Sequence, residues 1–279
     1  MKKVMRLQEA VKQIEDGMTV AIGGNVLHRS PSALIREIVR QQKRHLKVIK
    51  TAGGHDVDLL CAGGCVESVD AGFVSYETEY GLAPFYRKAV EEGKVKANEH
   101  ACYTVMCALR AAKSGIPFMP VKGMMAGDLL KQNDYFQVIN DPFTNDAITV
   151  VRAINPDVAM IHVHECDEKG NAVIYGPKYD DELLSLSAKK VIITTEKIVV
   201  GSKFKFNPES VTIPYFLVSA VVVIPKGAAP CSCSKMYDID RSSIKEFLGI
   251  QNKEMLEKYL QKYEQRDRQS KNGVRYGEY

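Results

Sequence analysis

Residues 18–40, MTVAIGGNVLHRSPSALIREIVR, constrain this chain more than any other stretch. Thr19 to Ile22 read as a buried strand, and Gly23-Gly24 end it. A short loop, Asn25 to Arg29, leads into a helix with Ser30 as its cap and Pro31 at its first position. Such a unit places open backbone N–H groups at the carboxyl end of a strand, where α/β proteins bind ligands. Turns of this kind also occur where nothing binds, so the stretch alone leaves a ligand role and a structural role both open.

The unit recurs. Leu7, Ala10, Val11 and Ile14 keep helical spacing ahead of Gly17. Leu46 to Thr51 alternates as a second strand, Gly53-Gly54 follows, and Asp56 caps a short helix, 57–61. Val66 to Val69 reads as a strand, with 72–76 as the loop at its end. Pro84 starts a helix, 85–91, and Val95 to Asn98 forms a strand ending in Glu99 and His100. A helix over 103–112 leads to another strand, 116–121, and to Lys122-Gly123. These connections suit right-handed parallel crossovers. Residues 123–146 read as an irregular loop of the length expected for a lid. Strands are predicted at 148–154, 158–164, 172–175, 191–195 and 216–224, with a hairpin turn at 167–171 and one helix at 180–190. A last amphipathic helix carries Met255, Leu256, Tyr259, Leu260 and Tyr263, and 266–279 read as a frayed or partner-ordered tail.

Composition narrows the function classes. The 279 residues are 45% hydrophobic and 26% charged, and 38 Lys plus Arg against 34 Asp plus Glu leave a net charge of only +4. The basic residues are scattered, which argues against a nucleic-acid groove. The longest apolar run, 215–225, is far shorter than the ~20 residues that cross a bilayer. Seven cysteines without matched pairs of zinc spacing fit reduced thiols in a cytoplasmic protein.

Chemistry is expected where glycine turns meet strand ends. Gly23-Gly24, Gly53-Gly54, Gly63-Gly64 and Gly123 should line one edge of a parallel sheet, offering N–H donors to a phosphate or oxyanion. Their spacing matches neither a dinucleotide fingerprint nor a P-loop. Glu99 ends a strand at that edge, as a base or substrate-positioning carboxylate or as a helix N-terminal acid. His28 and Arg29 suit an anion, and Lys122 follows a strand toward the same cleft. His162 and His164 share one strand face, but no third ligand stands at a usual metal spacing. No G-x-S-x-G elbow occurs, and neither Cys61 nor Cys65 has an arguable histidine partner.

Three segments carry a family resemblance: MTVAIGGNVLHRSPSALIREIVRQ, CAGGCVESVDAGFVSYETEYGLAPFYRKAVEEG and NEHACYTVMCALRAAKSGIPFMPVKGMMAGDLL. With INPDVAMIHVHECDEKGNA they resemble the A (alpha) subunit of class I CoA-transferases, the glutaconate type in particular. The resemblance covers residues 1–240 and leaves 241–279 as a charged helical C-terminal extension. It implies a three-layer α/β/α sandwich with a mainly parallel sheet. It also implies a B-subunit partner and coenzyme A as acyl-CoA substrate; no metal is expected, because the residues supply no ligand set at a usual spacing. In that family the thioester is attacked by a B-subunit glutamate, so this chain is expected to lack the nucleophile. Glu79-Tyr80-Gly81 mimics the partner's Glu-x-Gly but lies in the A-subunit region. By resemblance Gly23, Gly24, Asn25, His28, Arg29, Lys122 and Gly123 contact CoA or substrate, and Glu99 matches an acid at the interface cleft. Residues 126–128 stand where relatives carry Gly-Ser-Asp, and Ala229 stands where many carry a histidine. The competing expectations are a hydrolase using Glu99 and a non-catalytic acyl-CoA-binding subunit.

Overall fold

The computed structural model describes residues 3–124 and 127–268. After α1 (Leu7–Val11) strands and helices alternate: β1 (Thr19–Ile22), α2 (Ser32–Arg40), β2 (Leu46–Gly53), α3 (His55–Ala62) and β3 (Val66–Val74). Then come α4 (Glu77–Tyr80), α5 (Pro84–Glu91), β4 (Lys96–Glu99) and α6 (Cys102–Lys113). A smaller excursion holds β5 (Phe118–Val121), α7 (Leu129–Gln132), β6 (Phe136–Asn140) and β7 (Ala147–Arg152). The chain returns through β8 (Val158–Cys166), β9 (Ala172–Val173), α8 (Asp181–Ser187), β10 (Lys190–Ile198), α9 (Ser202–Phe206) and β11 (Val218–Val223). It ends on α10 (Arg241–Leu248) and α11 (Lys253–Arg268).

Among the described residues, seven parallel strands form the main sheet in the order β11-β10-β8-β1-β2-β3-β4, and β9 pairs antiparallel with β8. The order reverses about β1, the switch point at which open α/β sheets form their crevice. Side chains of β1 alternate between two cores. Val20 and Ile22 pack with α1, α2, α3, α10 and α11, whereas Ala21 packs with α6, α8 and the smaller sheet. Covered on both faces, β8 is buried along all nine residues, as the apolar run of a central parallel strand requires. The expected three-layer architecture is the observed one.

Several local expectations give way. The 116–121 strand does not continue the parallel sheet; β5 pairs antiparallel with β7 in a three-stranded sheet, β5-β7-β6. Pro120 lacks an N–H and suits the edge position that β5 takes. The 123–146 loop contains α7 and β6, and β3 runs on to Val74 through the segment read as a loop. Ser30 does not cap α2: the helix begins at Ser32, flanked by Pro31, and the Ser30 hydroxyl donates to Asp56 Oδ2 at 3.2 Å. Residues 266–268 belong to α11 rather than to a frayed tail; residues 269–279 lie outside the described residues.

The C-terminal helices join the core. Arg36 Nε and Nη2 donate to the two oxygens of Asp267 at 2.7 and 2.8 Å, and Arg40 Nη2 adds a bond at 3.0 Å. His55 stands edge-on to Phe247 and meets the Tyr259 hydroxyl at 3.1 Å.

Candidate functional site

The glycine loop after β1 is held from below by Lys50. Its fully buried ammonium donates to the carbonyls of Ile22 (3.1 Å), Gly23 (2.6 Å) and Gly24 (2.8 Å) and lies 3.3 Å from Asp56 Oδ2. From above, Gly24 N–H donates to Asp181 Oδ1 at 2.9 Å, while Gly23 N–H donates to Met160 O at 2.9 Å. The open N–H donors expected at Gly23-Gly24 are therefore spent inside the protein. The glycines serve close approach instead: a Cβ on Gly23 would overlap the Asp181 carboxylate, and Gly24, at φ +74°, has His28 O and Arg29 against it.

Arg29 is likewise committed. Buried at φ +54°, its guanidinium donates to His162 O (2.9 Å) and Pro177 O (3.0 Å) and pairs with Asp181. It braces the loop. Asn25 and His28 exchange backbone hydrogen bonds, and both are half-buried at the loop tip. His28 Nδ1 lies 2.7 Å from Ser232 Oγ, but among the described residues no carboxylate pairs with this imidazole. A serine–histidine–acid triad is incomplete there.

The neighbouring strand ends add groups that sequence reasoning misses. Asp180, just before α8, hydrogen-bonds the Thr51 hydroxyl near the end of β2. Burial raises its carboxyl pKa, against the pull of the Lys50 charge. Cys102 begins α6 half-buried, with Sγ 3.3 Å from Thr51 O and Gly72 leaving it room. Burial pushes this thiol up as well. The adjacent acids 180 and 181 are the available signal, and helical spacing absorbs them.

Glu99 sits at the same carboxyl edge, three strand positions from β1, or about 14 Å at the usual strand spacing. Its side chain is exposed while its backbone is fixed. Asn133 Nδ2 donates to Glu99 O at 2.6 Å. The next residue, His100, is held 3.3 Å from both Asp70 Oδ1 and Thr104 Oγ1, between the rings of Tyr135 and Phe136. Phe73, Leu82, Tyr103 and Tyr179 stand around this edge, 42, 60, 50 and 40% exposed.

Not every glycine turn shares that edge. Gly53-Gly54 does, closing β2. Gly63-Gly64 precedes β3 and so lies at the amino edge, with Arg44 Nη1 on both carbonyls. Lys122 and Gly123 follow β5 in the second sheet, both exposed. Of residues 126–128, Ala126 lies outside the described residues. Glu79 is engaged by Arg241 Nε at 2.8 Å, and Ala229 O by Arg36 Nη1 at 2.7 Å. Two grooves, of about 760 Å³ between α2, α3 and α11 and about 1060 Å³ beside α9, include neither the glycine loop nor Glu99.

Comparison with known proteins gives this edge a context. The family model described as coenzyme A transferase matches residues 4–223. A protein of Archaeoglobus fulgidus is 39% identical over 94% of the chain, and the chain spans 59% of its length. The A subunit of glutaconate CoA-transferase from Acidaminococcus fermentans is 30% identical over 88% of the chain and 82% of its own length. The cholesterol ring-cleaving hydrolase IpdA subunit of Rhodococcus jostii is 31% identical over 81% of the chain and 79% of its own length. Among solved structures, glutaconate coenzyme A-transferase of A. fermentans superposes with a TM-score of 0.89 at 28% identity, covering 94% of this chain and 88% of that one. A variant of the decarboxylase AibA/AibB gives 0.86 at 31% identity, covering 95 and 100%. No helix among the described residues is long and apolar enough to cross a membrane.

Proposed function

The chain belongs to the coenzyme A transferase family, and on that premise we propose that it is the A subunit of a heteromeric CoA-transferase. The pair would move CoA from an acyl-CoA to a carboxylic acid. The observation that carries this reading is the half-site at the carboxyl edge. There an exposed carboxylate stands on a fixed backbone, at an edge that also carries exposed apolar side chains, and among the described residues no complete nucleophile–base–acid set is found.

In this mechanism the partner's glutamate attacks the thioester and forms an acyl–glutamyl anhydride, releasing CoA thiolate. The thiolate attacks the glutamyl carbonyl and the donor acid leaves as its carboxylate, giving a glutamyl–CoA thioester. The acceptor carboxylate then attacks that thioester, and the expelled thiolate attacks the acceptor's carbonyl in the new anhydride, giving the new acyl-CoA and freeing the glutamate. Glu99 would face that reaction from this chain, positioning the acid or handling a proton. The half-buried Asn25 and His28 and the exposed Lys122 are the groups left free to meet CoA or substrate, while Gly23, Gly24, Arg29 and Gly123 shape the backbone around them. The test is CoA exchange between two acids by the chain co-expressed with its partner. Exchange that depends on the acceptor acid supports the proposal; thioester hydrolysis that ignores the acceptor overturns it.

The relation to a ring-cleaving hydrolase subunit favours a second reading, hydrolysis through Glu99. Glu99→Gln in the co-expressed pair should then lower turnover by about two orders of magnitude or more, in line with a lost general base. Unchanged turnover would remove that reading.

A further inference from the structure

The two-histidine strand acquires ligand partners only through the fold. His162 on β8 faces β10, where its register partner is Thr194 and the next residue on that face is Glu196. Cys233 comes from the segment that follows β11. One donor atom from each of His162, Glu196 and Cys233 lies within 4.8 Å of the other two, and all three side chains are buried. Among the described residues this is the one such group.

We propose that His162 Nε2, Glu196 Oε1 and Cys233 Sγ bind a divalent transition-metal ion, zinc by the chemistry of the donor set. Imidazole, carboxylate and thiolate together are zinc donors at about 2.0–2.3 Å, which puts ligand atoms of a tetrahedral shell about 3.3–3.8 Å apart. His162 Nε2 and Glu196 Oε1 are 2.9 Å apart, so the shell needs them to separate by only a few tenths of an ångström. The outer partners a metal site requires are in place. His162 Nδ1 is 2.8 Å from Thr194 Oγ1, and Lys226 N–H donates to the other oxygen of Glu196 at 2.7 Å. The Tyr237 hydroxyl donates to Glu196 Oε1 at 2.6 Å and so orients that carboxylate too.

The charges balance. On binding, the Cys233 thiol gives its proton to solvent, and a neutral His162 carries its single proton on Nδ1, donated to Thr194. Thiolate and carboxylate then neutralise the dication, so no net charge is buried, and no redox change is involved. Without metal the same atoms close as hydrogen bonds, the Thr194 hydroxyl donating to Nδ1 and Nε2–H to Glu196. Binding would staple the segment after β11 to the central strands, directly beneath the carbonyl of His162 that holds Arg29.

The full-length chain, stripped by chelator, would be titrated with Co²⁺ and Zn²⁺. One equivalent of Co²⁺ with a thiolate-to-cobalt charge-transfer band is expected, with the band lost in Cys233→Ser. Thr194→Val should weaken binding about 10–100-fold while the fold by circular dichroism stays unchanged. No cobalt binding, or a band that persists in Cys233→Ser, overturns the proposal. Should that variant fail to fold, zinc-edge X-ray absorption of the wild type decides. A shell of one sulfur with nitrogen and oxygen supports the site; no sulfur, or two or more, overturns it.

Discussion

At Gly23 the space of a missing side chain is taken by the Asp181 carboxylate, which also holds the Gly24 N–H and the Arg29 guanidinium. Gly23→Ala must push that carboxylate aside, and overpacking of this kind costs about 1–3 kcal/mol. Two buried hydrogen bonds would weaken with it. Urea unfolding should show a loss of about 2 kcal/mol or more; a change under about 0.5 kcal/mol would mean that the loop has room the geometry denies. Lys50 makes the opposite case. Its place in β2 shows, in the sequence, only a lysine in an alternating strand. In the fold its ammonium meets three carbonyls and Asp56. Lys50→Met would take this donor from the three carbonyls and the counter-ion from Asp56, and removal of one partner of a buried ion pair typically costs about 3–5 kcal/mol.

Within α3, two buried groups one turn apart titrate in opposite senses. Burial lowers His55 to about 3, and burial raises Asp58 to about 7. The Tyr76 hydroxyl donates to Asp58 Oδ2 at 3.1 Å and lies 3.3 Å from His55 Nδ1. As pH falls below about 6.5, the unfolded chain takes up a proton at His55 that the fold refuses, so stability drops toward acid. As pH rises from about 4 to 7, the fold keeps a proton at Asp58 that the unfolded chain has lost, so stability drops toward neutrality. Between about pH 4 and 6.5 the two slopes cancel. Asp58→Asn keeps one of the two acceptor oxygens and removes one slope, so between about pH 4 and 7 its stability relative to wild type should rise with pH by up to about 1.4 kcal/mol per unit. Equal pH dependence of the two proteins in denaturant titrations would contradict this. The same scale explains α11. Its apolar spacing is legible in the sequence, but Asp267, in a stretch that reads as tail, anchors it through the buried Arg36. Asp267→Ala should cost about 3–5 kcal/mol, because Arg36 stays buried without its counter-ion.

For the molecule as a whole, the carboxyl edge is where the proposed heteromer would meet its partner. Phe73 and Tyr103 project there with the apolar area that interface anchors supply. If the proposed heteromer forms across this edge, Phe73→Ser with Tyr103→Ser should leave the melting temperature of the isolated chain nearly unchanged. Co-purification of the partner should fall about 30-fold or more, as loss of an anchor worth about 2 kcal/mol predicts. Thermal denaturation reads the first outcome and size-exclusion chromatography with light scattering the second, and an intact complex would place the interface elsewhere.

What the chain's own order determined was the layered α/β architecture, the carboxyl-edge position of the residue 23–29 loop and Glu99, and the family resemblance that covers them. These follow from local information, since the periods of strands and helices and the residues that stop them lie within short windows. Strand order is a different kind of fact. It decided that β5 leaves the main sheet, that Gly63-Gly64 sits on the far edge, and that Asp181, far along the chain, fills the space at Gly23. It also brought Glu196 and Cys233 to His162, the ligands that no sequence spacing supplied. The glycine pair was legible as a turn; that its N–H groups face a carboxylate and a carbonyl of the same chain, and not a ligand, depends on contacts between segments whose separation carries no local pattern.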